Sequence, residues 1–356
     1  MSRTPHELRL EIEPRSRFDA IDIGARVSAL HGDVLDGFRR RLYYSFHTTA
    51  GYLGPGLAGR LAVKRQAVAG YLGMFRAVFP EGASYRHDAL ELRSELSDAQ
   101  RLVEPKNADS HLAYMAAGLR SCVRYPHVAG ASVPFIDLDG VVNGRPRTRQ
   151  ASVVGYDHEI EVARTQLTVP VSGHPIDSIN LRAPELGLAS RVAQLAHQHG
   201  VTKGCVRLEL ASSERQAALT VNEYETLLMQ HDLRDVLRDP LRFLAEKGRH
   251  ALEDPRAIPT KTMGYATYDL VQALNQLVDA LNLEESLLAR LLGRIMALPA
   301  ERLFRMKRSV HLLVSDHETP GDAAMVQGHY QSPILIQWGR APGRARRIEL
   351  TLSRFV

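Results

Sequence analysis

Short runs in which apolar and polar residues alternate dominate the chain, and a few stretches show helical spacing instead. Alternation with a period of two is typical of half-buried strands, whereas apolar residues three and four apart are typical of amphipathic helices. The segments IDIGARVSAL, residues 21–30, and LGLASRVAQL, residues 186–195, have the helical pattern and resemble each other. Strand-like runs follow them, at 39–51 and at 206–219. The pattern therefore predicts an α+β fold built from a repeated unit.

A second pair of similar blocks supports a duplication. Gln150–Val169 and Gln331–Leu352 each consist of two alternating runs joined by a polar turn, which predicts a hairpin in each block. Two blocks repeated in the same order are the expected trace of a tandem duplication. We therefore predict that the two copies have the same arrangement of strands.

The predicted boundary between the copies lies at VSGHP, where Gly and Pro mark the end of the first hairpin. This gives one domain over residues 1–173 and a second over 174–356. Within the second, Tyr268–Leu298 has apolar residues at helical spacing. It is either a helical insertion over about 265–306 or a longer version of a helix predicted in the first copy at Ser110–Arg124.

The composition indicates a globular protein and excludes several classes. Of 356 residues, 44% are hydrophobic and 24% are charged, and no apolar run approaches the ~20 residues of a membrane span. The net charge of +5 is small for this length, and the arginine clusters at 39–41 and 340–347 are interpreted as solvated strand edges, so nucleic acid is not an expected partner. Cys122 and Cys205 are predicted to be buried thiols in a reducing cytoplasm. No Gly-rich phosphate-binding motif is present, so no nucleotide cofactor is expected.

Three histidines lie in phrases that have local structure of their own. His47 ends a strand-like run in SFHTTAG, His87 lies in YRHD, and His111 lies near a predicted helix start in KNADSHLAY. Three imidazoles from separate elements form a common open metal site, in which water or substrate takes the fourth position. The spacings of 40 and 24 residues are too long to be diagnostic, so three hydrogen-bonded structural histidines are the alternative.

These phrases, in this order, resemble the YjbQ-like family, also called secondary thiamine-phosphate synthases. The resemblance covers about residues 40–165. The matching segments are His47-Thr48-Thr49-Ala50, Tyr85-Arg86-His87, Asn107 to Leu112, the turn Val133 to Gly140, and Gln150 in place of the end of a Trp-Gln pair.

The second copy resembles the same family through the features that the first copy lacks. Ala218–Glu223 matches the other half of the first motif, and Gly328–Gln331 and Arg344–Arg346 match the last strand and the closing Arg-x-Arg. Aligned on the preceding glycines, Glu214 of the second copy stands opposite His47 of the first. The two copies have therefore diverged in complementary ways.

The resemblance implies a divalent metal held by His47, His87 and His111. Zinc is the first expectation, with iron, manganese and nickel also open. Asp88 and Asp109 are the expected carboxylates that orient the imidazoles. The matched polar positions that the resemblance implies for substrate binding are Thr48, Asn107, Gln150 and Asn222.

Two glutamates have more than one interpretation. Glu223 of the second copy either completes a site with the histidines of the first copy or caps the helix predicted at Tyr224–Arg238. Glu159 is either a general base or part of a solvated turn.

The resemblance implies a cytoplasmic, metal-dependent biosynthetic enzyme with a small polar metabolite as its substrate, and an assembly of several identical chains. Its fold is expected to be two tandem YjbQ-like units, each of curved antiparallel sheets with packed helices. The family name implies condensation of a pyrimidine pyrophosphate with a thiazole phosphate. Divergence of the second copy favours a repurposed pocket that performs a metal-assisted hydrolysis, elimination or rearrangement. The alternative is a non-catalytic binding or scaffolding protein with a relic site.

Overall fold

The computed structural model describes residues 3–61, 65–238, 243 and 307–356. The predicted helical insertion at about 265–306 lies outside these residues. No helix in the described ranges is both long enough and apolar enough to cross a membrane.

Seventeen strands and seven α-helices are present in the described ranges. The strands are β1 His6–Ile12, β2 Asp19–Asp22, β3 Arg40–Ser45, β4 Ala50–Tyr52, β5 Cys122–Pro126, β6 Pro134–Asp137, β7 Val141–Val142, β8 Arg145–Pro146, β9 Arg149–Tyr156, β10 Glu159–Pro170, β11 Ile176–Asn180, β12 Lys203–Leu210, β13 Ala217–Glu223, β14 Ser309–Ser315, β15 Ala324–Met325, β16 Gln331–Trp338 and β17 Ala345–Phe355. The helices are α1 Ile23–His31, α2 Pro55–Arg60, α3 Arg65–Val78, α4 Asp98–Arg101, α5 Ala108–Ala116, α6 Leu188–Gln198 and α7 Leu233–Arg238, and a π-helical turn, Leu228–Asp232, precedes α7.

The strands form four main sheets and a small two-stranded sheet, β7-β8, and every pairing is antiparallel. Sheet I has the order β1-β9-β3-β5, and sheet II has the order β2-β6-β4. Sheet III has the order β10-β17-β12-β14-β15, and sheet IV has the order β11-β16-β13. The α+β class with antiparallel sheets is therefore confirmed.

The order of strands in sheets I and II is repeated in sheets III and IV. Strands β1, β9, β3 and β5 correspond to β10, β17, β12 and β14, while β2, β6 and β4 correspond to β11, β16 and β13. Helices α1 and α6 occupy the same place in the two series. The duplication predicted from the sequence is thus visible in the topology.

The two predicted hairpins are wrong. Within Gln150–Val169, β9 lies in sheet I and β10 in sheet III, and within Gln331–Leu352, β16 lies in sheet IV and β17 in sheet III. In both blocks the chain passes from one sheet to another, because the edges of β9 and β17 are already paired with other strands. Alternating polarity shows that a strand has two faces, but it does not identify the neighbouring strand.

The strands of the first repeat end with β9 and those of the second begin with β10, so the repeats meet at the turn Asp157–His158. The predicted division into domains at 1–173 and 174–356 stays a prediction. By contact density, the chain divides into two compact units of a different kind. Unit 1 contains residues 3–57, 119–224 and 307–356, with all four main sheets, and unit 2 contains the described residues within 58–118 and 225–306.

Sheet I is buried on both faces, and the alternation within β3 shows this directly. Leu42 and Tyr44 face a core that sheet I shares with sheet III, whereas Tyr43 faces a second core with α1 and sheet II. On α6, Leu188, Val192 and Ala196 are buried at four-residue intervals, which is the amphipathic spacing predicted for this helix. Cys122 and Cys205 are buried free thiols in the shared core, as predicted.

A buried arginine stands at the same place in each repeat. Arg149 at the start of β9 donates to both carboxylate oxygens of Asp137 and to the carbonyl of Asp139. Arg346 at the start of β17 donates to Gln337 and to the carbonyl of Gly339. These contacts align Asp137 with Gln337.

The interpretation of both arginine clusters as solvated edges is therefore wrong in part. Arg346 is 1% exposed, and its Nη1 donates to Glu214 Oε2 at 3.0 Å. Arg41 is 5% exposed and pairs with Asp36 at 2.6 Å. A guanidinium with several acceptors in reach is stable in a core, and the charge pattern of the sequence does not reveal those acceptors.

Unit 2 has an aromatic core around α3 and α5. Every residue of Ala108–Ala116 is buried, and Tyr71 of α3 donates from its hydroxyl to the carbonyl of Ala117 at 2.9 Å. Phe79 and Tyr85 contact the ring of Phe243. A helix that is buried on all sides must satisfy its polar side chains within the unit.

Candidate functional site

Unit 2 holds a group of buried polar residues around one histidine, which we call the His87 cluster. Its five members are at most 5% exposed. They are His87, Asn107, His111, Glu225 and Asp232. Burial of so many ionisable and amide groups is unusual, and such groups must be paired to be stable.

The start of α5 explains why Asn107 is available to this cluster. Asn107 is the N-cap residue of α5, yet its side chain makes no capping hydrogen bond. Asp88 takes that role, because its Oδ1 accepts from the backbone N–H of Ala108 at 3.0 Å. Asp88 therefore caps the helix, and the Asn107 amide reaches His87. That Asp88 orients an imidazole stays a prediction.

His87 contacts polar groups through both ring nitrogens. Its Nδ1 lies 2.9 Å from Glu225 Oε2, and its Nε2 lies 3.3 Å from Asn107 Oδ1. The ring of His111 stands edge-to-face against it, with ring centroids 5.3 Å apart and planes at 76°. Two of the three predicted metal ligands are thus adjacent.

Glu225 is held as a carboxylate. Burial raises its pKa, but hydrogen bonds from His87 and from the backbone amides of Leu227 and Leu228 outweigh this effect and lower the pKa below its ordinary value. Both backbone N–H groups donate to the carboxylate at 2.7 Å. Since an ionised carboxylate only accepts, Nδ1 of His87 carries the proton in this contact.

Asp232 fixes the backbone at His87. Its two carboxylate oxygens accept from the N–H groups of Arg86, at 3.0 Å, and His87, at 2.9 Å. Burial, followed by the charges of Asp109, Asp88 and Asp232, raises the pKa of Tyr85 well above its ordinary value, so its hydroxyl stays protonated. That hydroxyl donates to the carbonyl of Pro80 at 3.0 Å. The backbone that carries His87 is therefore held by Asp232, and Tyr85, two residues earlier, is held by Pro80.

His47 belongs to unit 1 and has different surroundings. The backbone N–H of Gln150 donates to its Nε2 at 2.7 Å. Burial, followed by the charges of Arg149 and Arg147, lowers the pKa of His47 to about 3, so the ring is neutral. In this arrangement its single lone-pair nitrogen already accepts a hydrogen bond. Gln150 contributes this contact through its backbone, and its side chain is exposed.

The strand end that carries Asn222 and Glu223 lies near the His47 segment within unit 1. Glu223 pairs with Gln331, whose side-chain Nε2 donates to the carbonyl oxygens of Ser45 and His47 at 2.8 Å. Asn222 is fully buried, and its Oδ1 accepts from the N–H of Glu223 at 2.7 Å. Participation of Glu223 in a site stays a prediction.

The remaining predicted residues have the following positions. Thr48 is 9% exposed in the loop after β3, and Asp109, also 9% exposed, accepts from Ser110 Oγ at 3.4 Å in the first turn of α5. Glu159 accepts from Nη1 of Arg124 at 2.5 and 2.7 Å, so its carboxylate is held in an ion pair. It lines an open cleft of about 450 Å³ in unit 1 with Arg39, Arg40, Asp157, His158, Glu161 and Ser353.

The His, Cys, Asp and Glu side chains of the described residues do not form a three-ligand metal site. Among residues 3–61, 65–238, 243 and 307–356, no three or more His, Cys, Asp or Glu side chains are grouped so that they hold an ion. His87 and His111 supply two imidazoles, and Glu225 lies on the Nδ1 side of His87. The predicted zinc ion therefore stays a prediction.

Sequence reasoning missed Glu225 and Asp232 and selected Glu223 instead. Glu225 follows the end of β13 by two residues, and helical structure begins directly after it. In the helix predicted at Tyr224–Arg238, the spacing of seven residues between Glu225 and Asp232 would place both carboxylates on one face. That spacing was the available signal, and it is weak because acidic residues at this interval usually face solvent.

Neither a family model nor a curated protein matches the sequence. The chain is similar to the crystal structure of a YbjQ-like protein of unknown function from Sulfolobus solfataricus P2, with 15% identity, 55% of this chain and 99% of that chain covered, and a TM-score of 0.29. A hypothetical protein from Aeropyrum pernix K1 matches with 17% identity over 54% of this chain and 98% of that one, with a TM-score of 0.27. An uncharacterised conserved protein of the YjbQ family from Clostridium acetobutylicum matches with 14% identity over 54% and 99%, with a TM-score of 0.23.

Proposed function

We propose that this protein is an enzyme that transfers protons during the conversion of a small polar metabolite. His87 is its general acid and base, and Glu225 is the residue that positions it. The observation that carries the proposal is the contact of 2.9 Å between the ionised Glu225 and Nδ1 of His87. A carboxylate in this place fixes the tautomer and stabilises the imidazolium that forms when Nε2 takes a proton.

Asn107 suits this role because a carboxamide serves both protonation states of His87. Its oxygen, 3.3 Å from Nε2, accepts from a protonated ring. After a half-turn of the amide, its N–H group donates to the lone pair of a neutral ring. Proton transfer by a positioned imidazole accelerates reactions by about 10²- to 10⁴-fold. Hydrolysis, elimination and rearrangement can each use such a group.

A second candidate is a non-catalytic binding or scaffolding protein. The observation that favours it is the complete burial of His87 and His111, both 0% exposed. In that case the His87–Glu225 contact stabilises unit 2 and takes no part in a reaction.

The test is to incubate the purified protein with a small-molecule cell extract and follow every metabolite by mass spectrometry. Three proteins are compared: the natural sequence, His87→Gln, and His127→Gln as a matched control. His127 is a suitable control because its Nε2 lies 3.9 Å from Asp36, a half-exposed carboxylate in unit 1. Circular dichroism and thermal melting establish that all three are folded.

We expect a metabolite that the natural protein and His127→Gln convert and that folded His87→Gln does not. If no metabolite distinguishes the natural protein from His87→Gln, the enzyme proposal is wrong and the binding protein is favoured. A parallel incubation with the pyrimidine pyrophosphate and the thiazole phosphate shows whether thiamine phosphate is the product. Its formation by the natural protein alone would identify the reaction as the one the sequence resemblance implies.

A further inference from the structure

The open cleft of about 450 Å³ around Glu159 lies in unit 1 where the two repeats meet, and we call it the junction cleft. The turn Asp157–His158, which joins β9 to β10, is part of its lining. The first repeat also contributes Arg39 and Arg40 at the start of β3, while the second contributes residues of β10 and β17. A single repeat would therefore supply only one side of this cleft.

The two arginines of the junction cleft are fixed at their backbones, and their side chains are unpaired. The backbone N–H of Arg39 donates to Asp157 Oδ1 at 3.0 Å, and its carbonyl accepts from the N–H of His127 at 2.8 Å. Arg40 is paired on both sides within sheet I, with β5 and with β9. Both side chains are exposed, and neither guanidinium has a hydrogen-bond or ion-pair partner among the described residues. Since a guanidinium keeps its proton in proteins, two positive charges are available to an anion.

Ser353 provides a hydroxyl group in the same cleft. It lies on β17 opposite Glu161 of β10, and it lines the cleft although it is only 8% exposed. Its Oγ has no hydrogen-bond partner in the part of the chain that the structure describes. Buried hydroxyl groups normally have such a partner. A ligand with acceptor oxygens would supply one.

The glutamates of the cleft already have cationic partners. Glu159 pairs with Arg124 at 2.5 Å, and Glu161 pairs with Arg164 at 2.9 Å. These carboxylates therefore leave the charge of the two unpaired arginines uncompensated. An ion-paired carboxylate still has lone pairs that accept from a hydroxyl group.

We propose that the junction cleft binds a small hydroxylated phosphate ester. Its phosphate pairs with Arg39 and Arg40 and accepts from Ser353, while its hydroxyl groups donate to the carboxylates of Glu159 and Glu161. Guanidinium groups match phosphate because their N–H groups form parallel pairs of hydrogen bonds with its oxygens. A phosphate ester offers three such oxygens, whereas a carboxylate offers two, so the ester uses more of the donors present. The cleft has the volume of a small-molecule pocket, and its charged lining favours a polar ligand.

The test is isothermal titration calorimetry of the full chain with glycerol 3-phosphate. Glycerol, which lacks the phosphate, and inorganic phosphate, which lacks the hydroxylated group, are the comparison ligands. Arg39→Gln and Arg40→Gln are compared with the natural protein and with Arg26→Gln. Arg26 is a matched control because it is exposed on α1, does not line the cleft, and its replacement changes the net charge equally. Circular dichroism and thermal melting establish that every variant is folded.

We expect the natural protein and Arg26→Gln to bind glycerol 3-phosphate saturably and with equal affinity. The affinity should be at least ~5-fold lower in Arg39→Gln and Arg40→Gln, because each loses a charge-assisted hydrogen bond. Inorganic phosphate should bind more weakly than the ester, and glycerol should not bind at the same concentrations.

Absence of saturable binding of glycerol 3-phosphate, or equal affinity in Arg39→Gln, Arg40→Gln and Arg26→Gln, would overturn the proposal. Equal affinity for the ester and for glycerol would overturn the role of the phosphate, and equal affinity for the ester and inorganic phosphate would overturn the role of the hydroxyl groups. None of these measurements depends on His87, so this proposal and the proposed function fail separately.

Discussion

Replacement of Arg149 by methionine should destabilise the protein strongly, because it leaves a buried carboxylate without its partner. Arg149 is 2% exposed and Asp137 is 0% exposed. The arginine donates from Nε and Nη2 to the two oxygens of Asp137 at 2.6 and 2.8 Å, and from Nη2 to the Asp139 carbonyl at 2.5 Å. Methionine keeps most of the apolar stem and removes these three hydrogen bonds and a longer one, of 3.5 Å, from Nη2 to Thr49 Oγ1.

The magnitude follows from the charge that stays behind. Breaking a buried ion pair by removing one partner costs about 3–5 kcal/mol. Burial already raises the pKa of Asp137 above its ordinary value, despite the opposing charge of Arg149. Without Arg149 the carboxyl takes up a proton more readily, so the destabilisation in Arg149→Met should be smaller at pH 5 than at pH 8.

The second repeat supplies a matched comparison. Arg346→Met removes the corresponding arginine, but its aligned partner Gln337 is neutral. Glu214, which also pairs with Arg346, keeps a hydrogen bond from the backbone N–H of Arg347 at 3.2 Å. The expected loss is therefore smaller, about 1–3 kcal/mol.

Urea unfolding followed by circular dichroism measures these differences. The double variant Arg149→Met/Asp137→Leu should recover most of the loss, because it removes the charge as well as its partner. A loss below about 1 kcal/mol in Arg149→Met, or no recovery in the double variant, would refute this reasoning.

Three further predictions concern the described residues. Burial and neighbouring arginines lower the pKa values of His47 and His311 to about 3, so the unfolded chain takes up protons first as the pH falls below ~6.5. The free energy of unfolding should therefore fall between pH ~6.5 and ~3. In urea titrations, the double variant His47→Gln/His311→Gln should show a flatter dependence on pH. A steep dependence in that double variant would contradict the assignment. Gly328→Ala should lower the melting temperature markedly, because an added Cβ atom would overlap the carbonyl oxygen of Phe46. Gly56→Ala is the control, since a Cβ atom there meets nothing within 4 Å. Glu225 has a pKa below its ordinary value, so it stabilises the folded protein above pH ~4.3, and this stabilisation is lost as the pH falls further. Glu225→Gln should therefore be less stable than the natural protein at pH 7 and lose less stability on acidification. If the variant loses as much stability at low pH as the natural protein, the stabilising contact with His87 is not supported.

The sequence predicted individual elements well where local pattern determines them. Helix α6 has apolar residues at Leu188, Val192 and Ala196, and this spacing suffices because a helix forms from contacts within one segment. The strand-like runs predicted at 39–51 and 206–219 overlap β3 and β12, but each run also reaches a second strand, β4 or β13, in another sheet. The partners of these strands were not predicted, because pairing joins residues far apart: Arg41 of β3 lies beside Gly155 of β9.

The candidate site was predictable only in part, for the same reason. His87 and His111 were selected from motifs, and they are neighbours in the fold. Glu225 approaches His87 across 138 residues of sequence, and no local pattern connects the two. The burial of Arg346 likewise depends on Glu214, which the sequence places 132 residues away.

The central claim is that Glu225 makes His87 an effective acid and base, and the most direct test is the rate of the His87-dependent conversion in Glu225→Gln. The glutamine keeps a hydrogen bond acceptor for Nδ1 but removes the charge that stabilises the imidazolium. At a temperature where both proteins are folded, the account predicts a rate reduced by about 10²-fold or more in Glu225→Gln and an unchanged rate in His127→Gln. Equal rates in the natural protein and Glu225→Gln would contradict the account.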